Sequence, residues 1–198
     1  MVMTTNTNHT NHTTNHTTNH TNHTTNHTNH TTNTTNTAHT VDTTGTVNTT
    51  DSRLNFAKAA PKAFRALIGF DAAAREGLDP ALVELIQIRA SHLNHCAYCL
   101  HMHTNDARKA GESEDRLHLV AVWREARHFF TPKEQAALAL TEAVTLVADA
   151  GVPADVYAEA AAHFPEEELA HVLALILTIN TWNRVALSTG KVAGTDER

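Results

Sequence analysis

Cys96 and Cys99 are the only two cysteines among 198 residues; they stand three positions apart, and His103 follows four positions later. Two thiols at that spacing can close into a disulfide and reopen. On a helix, at about 100° per residue, Cys96, Cys99 and His103 fall within about 60° of one another. The thiolate is the reactive form of cysteine. It is favoured at a helix start, where Cys96 would lie, and beside an imidazole, as Cys99 would be. Glu84 precedes Cys96 by twelve positions. If its helix pairs antiparallel with the next, its carboxylate can face the sulfurs, and a carboxylate buried beside a thiol can pass protons. His92 lies roughly on the face of Glu84 and could join that relay, whereas His101 points to the far side of its helix. Arg89 points more than about 100° away from Glu84 and is expected in an outward or interface salt bridge.

The elements that must hold these groups read as helix after helix, with no alternating strand pattern. Pro61 opens a helix whose apolar face of Ala63, Phe64, Leu67, Ile68 and Phe70 ends near Gly77. Asp79-Pro80 is a cap followed by proline at the first helical position, and starts a helix to about Asn94. The next helix begins near His95 or Cys96 and runs to Ala110, where Gly111 supplies a left-handed stop. Ser113 caps a short helix. Thr131-Pro132-Lys133-Glu134 is a capping box, the clearest helix start in the chain, and its helix is expected to continue to Gly151. Pro153 opens a further short helix, closed by Phe164-Pro165. Glu166-Glu167-Glu168 then places negative charge at the start of a last helix that ends at Gly190 and is apolar on nearly every side. The expected class is all-α. Trp182 and Asn183 could line a pocket or pack in the core.

Composition divides the chain. Residues 1–51 are almost entirely Thr, Asn and His, and the first fifty contain only Met1, Val2, Met3, Ala38, Val41 and Val47 as apolar residues. A segment so poor in apolar groups forms no core, so 1–51 is expected to be a disordered tail. The expected helical domain spans 52–191, with a short C-terminal tail over 192–198. His9, His12, His16, His20, His23, His27 and His30 recur at spacings of three and four. Asn and Thr are poor helix formers, so this stripe reads as repeated TNH and TTNH units, with adventitious metal binding left open. The net charge is −6, of which the tail carries −2 through Asp42 and Asp51. No basic footprint for nucleic acid is present. The apolar stretch from Leu169 to Ile179, interrupted by Thr178, is too short to span a membrane. With neither a basic segment nor an apolar run at the N-terminus, no secretory signal is read, and the expected compartment is the cytosol. There a lone Cys-x-x-Cys is more often catalytic or metal-binding than a structural staple.

Zinc is the main rival to redox chemistry, since His92, His95, Cys96, Cys99 and His103 offer enough ligands. Structural zinc, however, ordinarily ties together separated segments, and these donors are all local. The run Glu84-Leu85-Ile86-Gln87-Ile88-Arg89-Ala90-Ser91, then Asn94-His95-Cys96-Ala97-Tyr98-Cys99 and His101-Met102-His103-Thr104, resembles the core of the alkylhydroperoxidase D-like proteins. These belong to the wider carboxymuconolactone decarboxylase family. The resemblance extends from about Arg53 to Lys191 and includes Thr178 to Arg184.

It implies an all-helical bundle that assembles as a homo-oligomer and acts as a thiol peroxidase on alkyl hydroperoxides or hydrogen peroxide. By position, Cys99 corresponds to the peroxide-attacking thiol, Cys96 to the resolving thiol, and Glu84 and His103 to the proton relay. A thiolate at the helix start would instead make Cys96 the attacker. The reductant would be an external dithiol, a lipoyl group on a protein or a thioredoxin-like partner. No flavin, haem or nicotinamide motif is present, so no cofactor and no metal is expected. Two alternatives stay open: a non-redox lyase of the decarboxylase type using Glu84 and His103, and a metal-holding structural or sensor protein.

Overall fold

The computed structural model describes residues 53–195, all within one compact unit. The expected disordered tail over 1–51 lies outside the described residues. Among those residues the structure is helical throughout, with no strand. In chain order the helices are α1 (Phe56–Ala59), α2 (Pro61–Ala74), α3 (Pro80–Leu93), α4 (Ala97–Lys109), α5 (Glu114–Leu119), α6 (Pro132–Thr145), α7 (Val147–Ala150), α8 (Ala154–His163) and α9 (Glu166–Ser188). Two single 3-10 turns, Val120–Val122 and Arg127–Phe129, join α5 to α6.

The helix starts follow from local chemistry. Asp79 Oδ1 accepts from the backbone N–H groups of Ala81 and Leu82 at 2.9 and 3.1 Å, and Pro80 follows at the first helical position. The capping box at α6 is complete: Thr131 Oγ1 accepts from the Glu134 N–H, and Glu134 Oε2 accepts from the Thr131 N–H at 2.7 Å. The same carboxylate pairs with Arg116, tying α5 to α6. The expected continuation of that helix to Gly151 does not occur. The chain breaks at Leu146 (φ −99°, ψ 30°) and resumes as the single turn α7. Val147 and Leu146 are exposed there, so no apolar face remains to hold a continuous helix against the core.

The helix α3 is the axis of the described unit. Leu82, Val83 and Ile86 pack into one apolar cluster with Leu140 of α6 and with Val172, Leu175 and Ile176 of α9. Leu85 and Ile88 face a second cluster that includes Ala107, Trp123, Phe130 and Leu138. Ala90, near the end of α3, enters a third cluster with Cys96, Cys99, Ile179 and Ala186. A helix buried on so many sides has apolar residues all round it, which explains why Leu82, Val83, Leu85, Ile86 and Ile88 follow no single stripe. Each fully buried aliphatic side chain contributes about 1.5–3 kcal/mol relative to exposure. The sulfurs are thus part of the core where α3, α4 and α9 meet.

Candidate active site

Only Asn94, His95 and Cys96 separate α3 from α4. His95 adopts a left-handed φ of 54°, its N–H donates to His92 O at 3.1 Å, and the Cys96 N–H donates to Ser91 O at 3.0 Å. These two bonds are the Schellman pattern, here with histidine where glycine is usual. Cys96 therefore closes α3 and, in the same position, opens α4 as its N-cap: its Sγ accepts from the Cys99 N–H at 3.4 Å. That turn sends α4 back along α3 and brings His103 to Glu84.

Both cysteines are free thiols, 1% and 2% exposed, with their sulfurs 2.6 Å apart. The pair is electrically asymmetric. The Cys96 thiol is lowered from 9.0 to about 7, first by the hydrogen bond from the Cys99 thiol, against the opposing effect of burial, with help from backbone N–H groups and the Asn183 side chain. Cys99 is pushed well up, first by the hydrogen bond it makes to Cys96 and then by burial. Above about pH 7 the two sulfurs therefore hold one proton and one negative charge between them.

His103 is 3% exposed, and its Nδ1 lies 3.0 Å from Glu84 Oε2. The other carboxylate oxygen of Glu84 faces the Arg75 guanidinium at 3.7 Å. Arg75 in turn pairs with Asp71 at 2.8 Å, and the Trp182 indole N–H donates to Asp71 at 3.3 Å. Glu84 is thus fixed between a cation and an imidazole, not turned to solvent. Cys99 and His103 line one cavity of about 460 Å³ with Phe64, Ile68, Met102 and Trp182, within the range of small-molecule sites.

Behind the sulfurs a buried amide network locks α3 to α9. Asn94 Nδ2 donates to Asn183 Oδ1 at 2.9 Å and to Asn180 Oδ1 at 3.0 Å, and Asn183 Nδ2 donates to Ser91 Oγ at 3.1 Å. Trp182 lines the cavity, whereas Asn183 is fully buried in the network.

Two other residues singled out from the sequence lie elsewhere. His92, eight positions after Glu84, is rotated by about 80° from it. It lines a different cavity with His101 and His118, one that includes none of Glu84, Cys99 or His103. Its imidazole is pushed down by burial and then by the Arg89 charge, which favours the neutral ring. Arg89 does not point outward: it pairs within the chain with Glu142 of α6 at 2.7 Å and donates to Ala121 O at 2.7 Å. Glu142 also accepts from the Trp123 indole at 2.7 Å. Among the described residues, no three His, Cys, Asp or Glu side chains are grouped to hold a metal ion. The local donors do not converge, since His95 is exposed and His92 faces its own cavity. No helix of the described residues is long and apolar enough to cross a membrane.

Sequence reasoning passed over Arg75, Gln87 and Asn180. Gln87 carried a readable signal, an amide one turn after Glu84 between Ile86 and Ile88; Arg75 carried none.

Residues 60–143 match the carboxymuconolactone decarboxylase family. A protein of unknown function from Agrobacterium tumefaciens, described as a candidate antioxidant defence protein AhpD, is 38% identical in a solved structure, with a TM-score of 0.70 over 73% of this chain and 99% of that one. The chain is an AhpD-like member of the carboxymuconolactone decarboxylase family. The uncharacterized protein YdfG of Bacillus subtilis (strain 168) is 35% identical over 142 residues, 71% of this AhpD-like chain and 96% of that protein. An uncharacterized peroxidase-related protein from Ralstonia eutropha JMP134, described as an alkylhydroperoxidase AhpD core, shares the fold at 22% identity, with a TM-score of 0.61 over 70% of this chain and 74% of that one. The family match of the AhpD-like chain runs from α2 into α6 and so contains Glu84, Cys96, Cys99 and His103.

Proposed function

We propose that this AhpD-like protein is a thiol-dependent peroxidase that reduces organic hydroperoxides or hydrogen peroxide through a Cys96–Cys99 dithiol/disulfide cycle. The observation that carries this reading is the contact of two free, buried sulfurs at 2.6 Å, one of them on the wall of a cavity shared with His103, which is itself bonded to Glu84.

Cys99 is the attacking sulfur, because it and not Cys96 lines the cavity. The first proton of the pair passes to the His103–Glu84 couple. The remaining proton moves onto Cys96 as the Cys99 sulfur attacks the terminal peroxide oxygen. An S–O bond forms, the O–O bond breaks, and the alkoxide leaves as an alcohol with the proton returned by His103. Cys99 is then a sulfenic acid. The Cys96 sulfur attacks it, an S–S bond forms, the S–OH bond breaks, and the hydroxyl departs as water with the Cys96 proton. The peroxide has gained two electrons and the sulfurs have lost two. An external dithiol, a lipoyl protein or a thioredoxin-like protein, returns the pair to the reduced state and leaves as a disulfide. The apolar cavity wall of Phe64, Ile68, Met102 and Trp182 favours a hydroperoxide with an organic group.

The test is a steady-state assay with cumene hydroperoxide and hydrogen peroxide, each with dihydrolipoamide and with thioredoxin as donor. The wild type should turn over, and Cys99→Ser and Cys96→Ser should not. Turnover that survives when both cysteines are serine would refute the redox cycle and leave acid–base chemistry at Glu84 and His103. A sulfenate trapped on Cys96 in the Cys99→Ser variant would reverse the roles of the two sulfurs.

A further inference from the structure

We propose that Gln87 binds the peroxide group itself, its side-chain amide holding the O–O bond against Cys99; this inference rests on the peroxidase reading above. Gln87 lies one turn after Glu84 on α3, so the two share a face of the helix. It lines the same cavity as Cys99 and His103. The residue is fully buried, yet neither its amide nitrogen nor its amide oxygen has a hydrogen-bond partner among the described residues.

Buried polar side chains are overwhelmingly hydrogen-bonded, because an unpaired donor or acceptor forfeits its hydration without return. Leucine or methionine would fill the same place on α3 without that penalty. An amide whose two ends are both unpaired on a cavity wall is a group waiting for a ligand that can both accept and donate. A hydroperoxide has that pattern: the terminal O–H donates and both oxygens accept. A purely apolar guest would leave both ends of Gln87 unpaired, and an anion would leave its carbonyl unpaired. As the O–O bond breaks, negative charge builds on the departing oxygen, and an amide N–H fixed in a buried site lowers the energy of that charge. The amide does not gain or lose a proton in this role. It orients the substrate and stabilises charge, while His103 and Glu84 move the protons.

The experiment is a single-turnover oxidation of the reduced full-length protein by cumene hydroperoxide, comparing wild type with Gln87→Leu and Gln87→Met. A parallel reaction with 2,2′-dithiodipyridine, an oxidant with no O–O bond, reads the intrinsic reactivity of the sulfurs. Either variant should lose roughly 10- to 100-fold in the second-order rate constant for peroxide, the size of a hydrogen bond to a developing charge. Its rate with the dipyridyl disulfide should be unchanged and its melting temperature no lower than wild type, since two unpaired buried groups have been removed. Equal peroxide rates in wild type and variants would overturn the proposal and leave Gln87 as the partner of a structural water. A parallel loss in both reactions would also overturn it, because the amide would then be acting on the cysteine pair. A wild type oxidised by the dipyridyl disulfide but not by peroxide would instead remove the peroxidase reading, and this inference with it. Two apolar replacements of different shape ensure that a fold defect in one leaves the other to decide.

Discussion

The hydrogen bond between the two thiols sets where the first proton of the pair is lost, and Cys99→Ala removes it. In the wild type the Cys96 thiol falls from 9.0 to about 7, and the bond from Cys99 is the largest cause. That fall corresponds to roughly 3 kcal/mol in favour of the thiolate, at about 1.4 kcal/mol for each pH unit. Burial acts in the opposite direction and persists in the variant, while the backbone N–H groups and Asn183 remain as weaker supports. The midpoint of Cys96 in Cys99→Ala is therefore expected to return to about 9 or above. The ultraviolet absorbance of the thiolate across a pH series measures it directly.

Stability should move with the same proton. The folded pKa of Cys96 is depressed below its unfolded value of 9.0, so the unfolded state binds more protons between about pH 7 and 9. Wild-type stability should rise across that window by up to roughly 3 kcal/mol and be lost again as pH falls through about 7; above about 9 the raised Cys99 thiol acts in the opposite direction, because the unfolded chain then gives up a proton that the folded pair keeps. Urea unfolding at a series of pH values should show this rise in the wild type and not in Cys99→Ala. A variant midpoint that stays near 7 would refute the reasoning, because the helix start and not the neighbouring thiol would then be holding the charge.

Glu84→Gln removes the carboxylate from His103 Nδ1 at 3.0 Å and should lower kcat of the peroxidase reaction by about 10²–10⁴-fold, with the thiolate titration of Cys96 left in place. An unchanged kcat would exclude the couple from proton transfer. Asn183→Ala strips Asn94 of an acceptor and Ser91 of a donor inside the core. Asn94 Nδ2 keeps Ala90 O and Asn180 Oδ1 as acceptors, so Ser91 Oγ alone loses its partner, and the loss in urea unfolding should be about 1–3 kcal/mol.

The helix starts were legible because capping is local: Asp79-Pro80 and Thr131-Pro132-Glu134 need only neighbours three positions away, and both form as their sequences require. The proximity of Cys96, Cys99 and His103 was legible for the same reason, as a matter of helical period. The meeting of His103 with Glu84 depended on one further step, that the turn at Asn94–His95 is tight enough to send α4 back along α3. What stayed hidden was set by distant parts of the chain. Glu142, the partner of Arg89, lies 53 positions away, and nothing near Arg89 announces it. The Asn94–Asn183 bond spans 89 positions. His92 was placed near the relay by counting turns, but a residual rotation of about 80° is enough to put a side chain on another wall. The break at Leu146 followed from a lack of anything for that turn to pack against, which depends on the arrangement of the other helices.

Because Cys96 ends one helix and begins the next, the interval from Glu84 to the first sulfur works as a ruler with no slack. One residue added within α3 between them would swing the carboxylate around the helix by about 100°. One added at His95 would detach the start of α4 from Ser91. Either change would separate acid from imidazole while leaving every reactive group present in the chain.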